Sequence, residues 1–132
     1  MTISRAFFAA AVFVPFLAAA PAQSQPAPQQ IDVSLTSYAF TPATLNLKTG
    51  TPYRLHLTNN ASKGHDFSAP EFFAASTIDP ADAAKVDKGE IEVDEGQSVD
   101  VTVTPMRAGS YPLACTHFMH SMMGMKGEIV VQ

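Results

Sequence analysis

Short runs in which apolar and polar residues alternate recur along the chain and limit what it can fold into. Apolar residues occupy every second position in four runs, which are residues 31–35, 45–47, 53–57 and 99–103, and the segment Glu128 to Val131 is predicted to be the final strand. Successive side chains of a strand point to opposite faces, so each run predicts a strand with one buried face. Several short strands separated by turn residues predict an all-β sandwich or barrel.

The alternation stops between residues 70 and 88. The segment EFFAASTIDPADAAK contains good helix formers, lacks a run of β-branched residues and carries a helix start signal at Asp79-Pro80. We predict one or two short helical turns here. Phe72 and Phe73 are expected to cap the sandwich.

The N-terminal residues have the features of an export signal. Residues 1–22 combine Arg5 with an apolar stretch and a small-residue cleavage site at Ala20-Pro-Ala22. Residues 23–30 are rich in Pro and Gln, without apolar periodicity, and predict a flexible linker. Residues 31–132 remain for one domain with a single core. We expect a periplasmic protein with no stable membrane insertion once the signal is cleaved.

Charge and cysteine content narrow the function. After Arg5 is removed, seven basic residues face twelve acidic ones, which argues against nucleic-acid binding. The chain has one cysteine, Cys115, so no internal disulfide can form. A lone cysteine in an exported protein calls for a specific chemical role.

The segment that follows Cys115 suggests that role. Cys115, His120 and Met125 are each separated by four residues, and together they offer a thiolate, an imidazole and a thioether. Copper that changes oxidation state favours two imidazoles and a thiolate in a plane, with a weak axial thioether. His65 is the best candidate for the second imidazole. His56 alternates with Leu55 and Leu57, so it is expected to face solvent.

This arrangement resembles the cupredoxins, the small blue-copper proteins. The resemblance covers nearly all of the chain after Gln30 and rests on one early histidine followed by a late Cys, His and Met loop. It implies a Greek-key β-sandwich or barrel and one type 1 copper ion, bound by His65, Cys115, His120 and Met125. Gly64 directly precedes the first of these, where a glycine permits the backbone to approach the metal closely.

Two positions depart from the family pattern. Many relatives carry Pro-Gly before the loop histidine, where this chain has Phe118-Met119. The family's usual asparagine after the first histidine is here Asp66, which could accept a hydrogen bond from the Thr116 hydroxyl or from a backbone amide. Its negative charge would favour oxidised copper.

The remaining loop residues leave two interpretations open. Phe118 and the nearby methionines could form an apolar surface where a redox partner docks. Alternatively, soft thioethers together with His117 could form a second, weaker copper(I) site. The residues concerned are His117, Phe118, Met119, Met122 and Met123. The acidic run GEIEVDEG predicts only the solvated face and turn of a strand.

We therefore predict an exported electron carrier, not an enzyme, that acts as a monomer with a redox partner such as a cytochrome or an oxidase. The alternative is a periplasmic copper-handling protein that sequesters or delivers the metal. A cysteine nucleophile paired with His117 or His120 is a third possibility, but it leaves Met125 and His65 without a role. A metal-free interaction domain is disfavoured because all four ligand types are present.

Overall fold

Ten strands form two five-stranded sheets in the computed structural model, which describes residues 24–132. In chain order the strands are β1 (Gln29–Thr36), β2 (Ala39–Thr41), β3 (Thr44–Leu47), β4 (Tyr53–Asn59), β5 (His65–Ser68), β6 (Ser76–Ile78), β7 (Glu90–Val93), β8 (Ser98–Pro105), β9 (Gly109–Ala114) and β10 (Lys126–Val131). The first sheet has the order β2-β1-β4-β8-β6, and the second has the order β3-β10-β9-β5-β7. The predicted all-β sandwich is confirmed.

Parallel and antiparallel pairs coexist in each sheet. β1 runs parallel to β4 and β3 runs parallel to β10, whereas the other neighbouring strands are antiparallel. Each sheet therefore contains a parallel pair of strands that are not consecutive in the chain.

The alternating positions supply the core between the sheets. Every apolar residue predicted to face inward from the four alternating runs is buried, except Ile31 and Val99, which are half-buried and pack against the core. The buried set includes Val33, Leu35, Leu45, Leu47, Tyr53, Leu55, Leu57, Val101 and Val103. Burying a side chain of this size contributes about 1.5–3 kcal/mol.

The helical prediction is confirmed, with one addition. α1 spans Pro70–Ala74, and a 3₁₀ turn spans Ala83–Lys85. Pro70 opens α1, where the missing amide hydrogen costs no helical hydrogen bond. β6 lies between the two turns and was not predicted. Phe72 and Phe73 are both buried in the core, consistent with their expected capping role.

The N-terminal boundary lies slightly earlier than predicted. Residues 24–28 have no regular structure, and β1 begins at Gln29, two residues inside the expected linker. It pairs there with Tyr53 of β4. The predicted signal peptide, residues 1–22, lies outside the described residues. Within residues 24–132, no helix is long and apolar enough to cross a membrane.

The second sheet brings three strand ends together. β9 lies between β10 and β5 and is antiparallel to both, with Ala114 opposite Lys126 on one side and Ser68 on the other. The end of β9 therefore lies beside the last residue of β5 and the first residue of β10. This common edge is where the predicted ligands are found.

Candidate metal centre

Each predicted ligand lies at a strand end or in the loop that joins two strands. His65 is the first residue of β5, Cys115 directly follows β9, and Met125 directly precedes β10. His120 comes from the loop between β9 and β10. The prediction that His65 lies in a loop was wrong, because pairing with Val93 of β7 extends the strand to include it.

The loop between β9 and β10 is closed by its own backbone hydrogen bonds. The His120 amide donates to the His117 carbonyl at 3.0 Å, and the His120 carbonyl accepts from the Met123 and Met125 amides at 3.2 and 3.1 Å. Met119 adopts a positive φ of 63°. This backbone conformation costs less for glycine, and Met119 holds the position at which many relatives have the glycine of Pro-Gly.

Three donor atoms converge at buried positions. His65 Nδ1 lies 3.1 Å from His120 Nδ1, and Cys115 Sγ lies 3.8 Å from the former and 3.4 Å from the latter. A point about 2.0 Å from all three atoms lies in the plane of this triangle, close to ordinary metal–nitrogen and metal–sulfur bond lengths. The triangle already has the dimensions of a trigonal metal site.

Met125 is the candidate fourth ligand and is adjacent to Cys115 through the backbone. Its backbone carbonyl accepts a hydrogen bond from the Cys115 amide at 3.1 Å, which continues the pairing of β9 with β10. Its side chain is fully buried and therefore shielded from water.

Burial also sets the proton affinity of the donors. Desolvation raises the pKa of the Cys115 thiol, and desolvation together with the neighbouring His120 and His117 lowers the pKa of His65. The neutral imidazole is the form that binds a metal, so His65 is ready to ligate. A metal must displace a proton from Cys115.

Two residues of the β1–β2 region contact the histidine rings from outside the triangle. Ser37 Oγ lies 3.2 Å from His65 Nε2, the ring nitrogen that points away from Cys115. The Tyr38 ring packs against His120, with 5.0 Å between ring centroids. Metal-ligating histidines usually donate their other ring N–H to such a partner, which fixes the ring orientation.

Asp66 ties the two ligand segments together. Its buried carboxylate accepts a hydrogen bond from the Thr116 amide at 2.8 Å and another from the Thr116 hydroxyl. Both hydrogen bonds had been considered from the sequence. Asp66 follows His65 and Thr116 follows Cys115, so this pair holds the two ligands in register.

Asn59 fixes the segment that leads to His65. Its buried amide group donates to the carbonyls of Lys63 and Val93 at 2.8 and 2.9 Å and accepts from the Ala61 amide at 2.9 Å. Val93 is also the residue paired with His65 across β5 and β7. One side chain therefore secures both the connecting loop and the neighbouring strand.

His117 has a different setting from the one expected. Its Nε2 lies 3.0 Å from both carboxylate oxygens of Glu92, and 4.0 Å from Asp66 Oδ2. Glu92 lies on the exposed face of β7, as the sequence predicts for the GEIEVDEG acids, and it also pairs with His117. A Cβ atom at Gly64 would approach Glu92 Oε1 to 3.1 Å, so this glycine makes room for the Glu92 side chain.

An apolar surface surrounds the loop that carries His120. Its members are strongly exposed, from 47% for Met119 to 88% for Phe118, and are Phe118, Met119, Met122 and Met123. We call this set the apolar patch. His120 itself is only 8% exposed.

His56 lies on the outer face of the first sheet, as the alternation predicts. Its Nδ1 lies 2.7 Å from Asp100 Oδ1.

The donor set fits a type 1 copper ion. The triangle contains two imidazoles and a thiolate, and the buried Met125 supplies a thioether, which is the set of ligands that copper favours in electron-transfer sites. The sequence predicted the three residues of the triangle, which the structure brings together, and Met125 remains the predicted axial ligand. Sequence reasoning missed the supporting contacts of Ser37 and Asn59, which carry no metal-site signal of their own, and the Glu92–His117 pair.

Comparison with known proteins agrees with this geometry. The sequence model of the cupredoxin-like domain family matches residues 8–131. The chain belongs to the cupredoxin family. No curated protein matches the sequence of this cupredoxin at a significant level.

Solved structures with this fold include two auracyanins. Auracyanin A, a "blue" copper protein from Chloroflexus aurantiacus, is 22% identical, with a TM-score of 0.58 over 80% of this cupredoxin and 100% of that chain. Reduced auracyanin from Roseiflexus castenholzii is 20% identical, with a TM-score of 0.57 over 81% of this cupredoxin and 99% of that chain. At these identities the similarity shows a shared fold.

The same fold also occurs within an enzyme. A multicopper oxidase from Campylobacter jejuni is 13% identical to this cupredoxin, with a TM-score of 0.60 over 83% of this chain and 31% of the oxidase. The fold alone therefore does not separate carriers from oxidases. The function has to be argued from the site.

Proposed function

We propose that this cupredoxin is an exported electron carrier that binds one type 1 copper ion through His65, Cys115, His120 and Met125. The observation that carries the proposal is the triangle formed by His65 Nδ1, His120 Nδ1 and Cys115 Sγ, with sides of 3.1 to 3.8 Å. Bound copper would accept and release single electrons. The chain would supply a rigid, dry site that suits both oxidation states.

Burial of the ligands favours electron transfer over catalysis. His65, Cys115 and Met125 have no measurable exposure, so substrate has no direct route to the metal past these side chains. Catalytic metal sites keep a position open for water or substrate. Here the four donors of the chain would fill the coordination sphere, and we infer that the protein is not an enzyme.

The apolar patch supports docking of a redox partner. Phe118, Met119, Met122 and Met123 lie in the same loop as His120, the ligand closest to the surface. An exposed cluster of large apolar side chains is costly unless a partner covers it. A cytochrome or an oxidase that packs on this patch would come close to the His120 ring.

Location and assembly belong to the same proposal. Residues 1–22 have the composition of an export signal, which supports export of the protein to the periplasm. We infer a periplasmic protein that acts as a monomer, without stable membrane insertion after cleavage.

Copper handling is the second candidate function. It is favoured by the exposed thioethers of Met119, Met122 and Met123, because thioethers are soft ligands that select copper(I). In this alternative, the loop captures a second, weakly held copper(I) ion for sequestration or delivery.

A variant in which Met119, Met122 and Met123 are replaced by leucine separates the two functions. Leucine keeps the patch apolar but removes the sulfur ligands. An electron carrier should retain its electron-exchange rate with a cytochrome and bind one copper in both forms. A copper handler should bind a further equivalent of copper(I) as wild type and lose it in the variant, measured by titration against a competing chelator under reducing conditions.

A Phe118→Ser variant tests the docking surface. Loss of electron exchange in this variant, with one copper retained, would support docking of the partner on the apolar patch.

A further inference from the structure

A second group of metal-ligating side chains lies beside the copper site and is separate from its four ligands. His117 Nε2, one oxygen of Glu92 and one oxygen of Asp66 all lie within 4.8 Å of one another. His117 Nε2 is 3.0 Å from each oxygen of Glu92 and 4.0 Å from Asp66 Oδ2. We call this set the acidic triad.

The acidic triad contains two carboxylates and one imidazole. Within residues 24–132, His117 is the only basic side chain at ion-pair distance from Asp66 or Glu92, and neither acid pairs with a lysine or an arginine. Asp66 is also buried, with 3% of the residue exposed. Thr116 supplies hydrogen bonds to both of its carboxylate oxygens, and a bound cation would add a compensating positive charge.

The acidic triad is accessible from solvent, and Gly64 leaves space beside it. The side chains of Glu92 and His117 are 53% and 34% exposed, so an ion can reach them from solvent. A side chain at Gly64 would crowd the space between them, because its Cβ would lie 3.1 Å from Glu92 Oε1 and 3.4 Å from His117 Cε1. Glu92 on β7 and His117 in the loop between β9 and β10 therefore meet beside Gly64.

We propose that the acidic triad is a binding site for a divalent transition cation, with zinc as its representative. One imidazole nitrogen and two carboxylate oxygens are ligands that zinc accepts at about 2.0–2.2 Å, with water completing the coordination. The site holds no thioether, and its donors suit zinc or copper(II) rather than copper(I). It is therefore distinct from the copper(I) site considered for the methionines.

A cation in the acidic triad would act on the copper site electrostatically. The His117 ring stacks on the His120 ring, with 5.4 Å between centroids and planes 16° apart. Asp66 accepts a hydrogen bond from the backbone amide of Thr116, the residue after Cys115. Added positive charge at this distance favours copper(I) over copper(II), so an occupied triad should raise the reduction potential. This coupling rests on the proposed copper function, whereas the binding of zinc does not.

Zinc titration of the full chain tests the site. We expect wild type to bind one more zinc ion than the double variant Glu92→Gln/His117→Ala, measured with a chromophoric chelator at matched protein concentration. The difference holds whether or not zinc also enters the site of Cys115, because that site is unchanged in the variant. The single variant Glu92→Gln, which keeps the shape of the side chain, should lose zinc affinity by at least about tenfold.

The matched control is the double variant His56→Ala/Asp100→Asn. It removes another histidine–carboxylate pair, with 2.7 Å between His56 Nδ1 and Asp100 Oδ1, in which Arg54 already neutralises the carboxylate. It should bind as much zinc as wild type. Equal zinc stoichiometry in wild type and in Glu92→Gln/His117→Ala would overturn the site.

The coupling has its own readout. In copper-loaded protein, saturating zinc should raise the reduction potential of wild type and leave that of Glu92→Gln/His117→Ala unchanged. A potential that does not respond to bound zinc in wild type would overturn the coupling while leaving the zinc site standing. Failure to take up copper at all would instead overturn the proposed function.

Discussion

The Nε2 atom of His65 lies 3.2 Å from the hydroxyl oxygen of Ser37, on the side of the ring opposite the donor triangle. Ligation through Nδ1 requires the proton to be on Nε2, which then donates to Ser37 Oγ. The turn between β1 and β2 thus provides a partner for Nε2 that is compatible with the tautomer of His65 that can bind a metal.

Replacing Ser37 by alanine should weaken copper binding without unfolding the protein. The His65 ring would lose its orienting partner, and loss of such a partner typically costs about 10–100-fold in metal affinity. Competition with a chelator measures the affinity. Ser98→Ala is the control, because the Ser98 hydroxyl contacts only the Thr58 hydroxyl on the outer face of the first sheet. If both variants bind copper as wild type does, Ser37 has no role in positioning His65.

Mutation of His65 should weaken copper binding, whereas mutation of His56 should not. His65→Ala removes one donor atom of the triangle. Copper affinity should therefore fall further than in Ser37→Ala, for which a loss of about 10–100-fold is expected. His56→Ala should leave the affinity and the colour unchanged, since His56 contacts Asp100 and Thr58 instead. Equal losses of copper affinity in both variants would exclude His65 as the second imidazole ligand.

Adjacent asparagines offer a similar contrast in stability. Asn59→Ala removes the donor to the Val93 carbonyl, in a buried hydrogen bond, and to the Lys63 carbonyl, in a partly buried one. An unsatisfied buried group costs about 1–3 kcal/mol, so we expect the free energy of unfolding to fall by about 2–4 kcal/mol. Asn60 is exposed, and its side chain donates to the Ser34 hydroxyl at 2.8 Å. Asn60→Ala should change stability by less than about 0.5 kcal/mol. Denaturant unfolding of both variants measures the difference, and a similar small effect in each would show that Asn59 does not secure the ligand loop.

Asp100 should contribute an acid-sensitive part of the stability. A hydrogen bond from Arg54, and then one from His56, lowers its pKa from 3.8 to about 2. A lowered carboxyl pKa stabilises the fold above the unfolded value, so this contribution is present above pH 3.8 and is lost as the pH falls towards 2. The side chain is 37% exposed, and screening by solvent reduces the gain to less than about 1 kcal/mol.

Unfolding of Asp100→Asn at several pH values tests this contribution. The stability deficit of the variant should be largest near neutral pH and should shrink between pH 3.8 and about 2. Glu95→Gln, in an exposed turn, is the control and should show no such convergence with wild type. A deficit of Asp100→Asn that does not depend on pH would contradict the assignment.

The strands could be predicted because their side-chain period follows from backbone geometry. Leu55 and Leu57 are buried where alternation places them, and His56 between them faces outward. β6 was not predicted, because Ser76–Ile78 has no alternation of its own and becomes a strand by pairing with β8. Tertiary context decides such short edge strands.

The candidate ligands could be chosen from the sequence because thiolate, imidazole and thioether groups are characteristic copper ligands, and the structure brings three of them together in His65, Cys115 and His120. Ser37 could not be chosen in this way, since a serine in a turn carries no such signal and lies 28 residues from His65 in sequence. Glu92 reads as one of several solvated acids until the sheet places it against His117. Contacts between distant residues depend on strand order, which the alternation pattern does not specify.

The absorption spectrum of copper(II)-loaded protein tests the central claim most directly. Cys115 Sγ lies in the donor triangle, so wild type should show intense visible absorption from thiolate-to-copper charge transfer. Cys115→Ser, which keeps the size of the side chain but removes the thiolate, should abolish that absorption. Equally intense colour in Cys115→Ser, or a colourless wild type that has bound copper, would contradict a type 1 site at these residues.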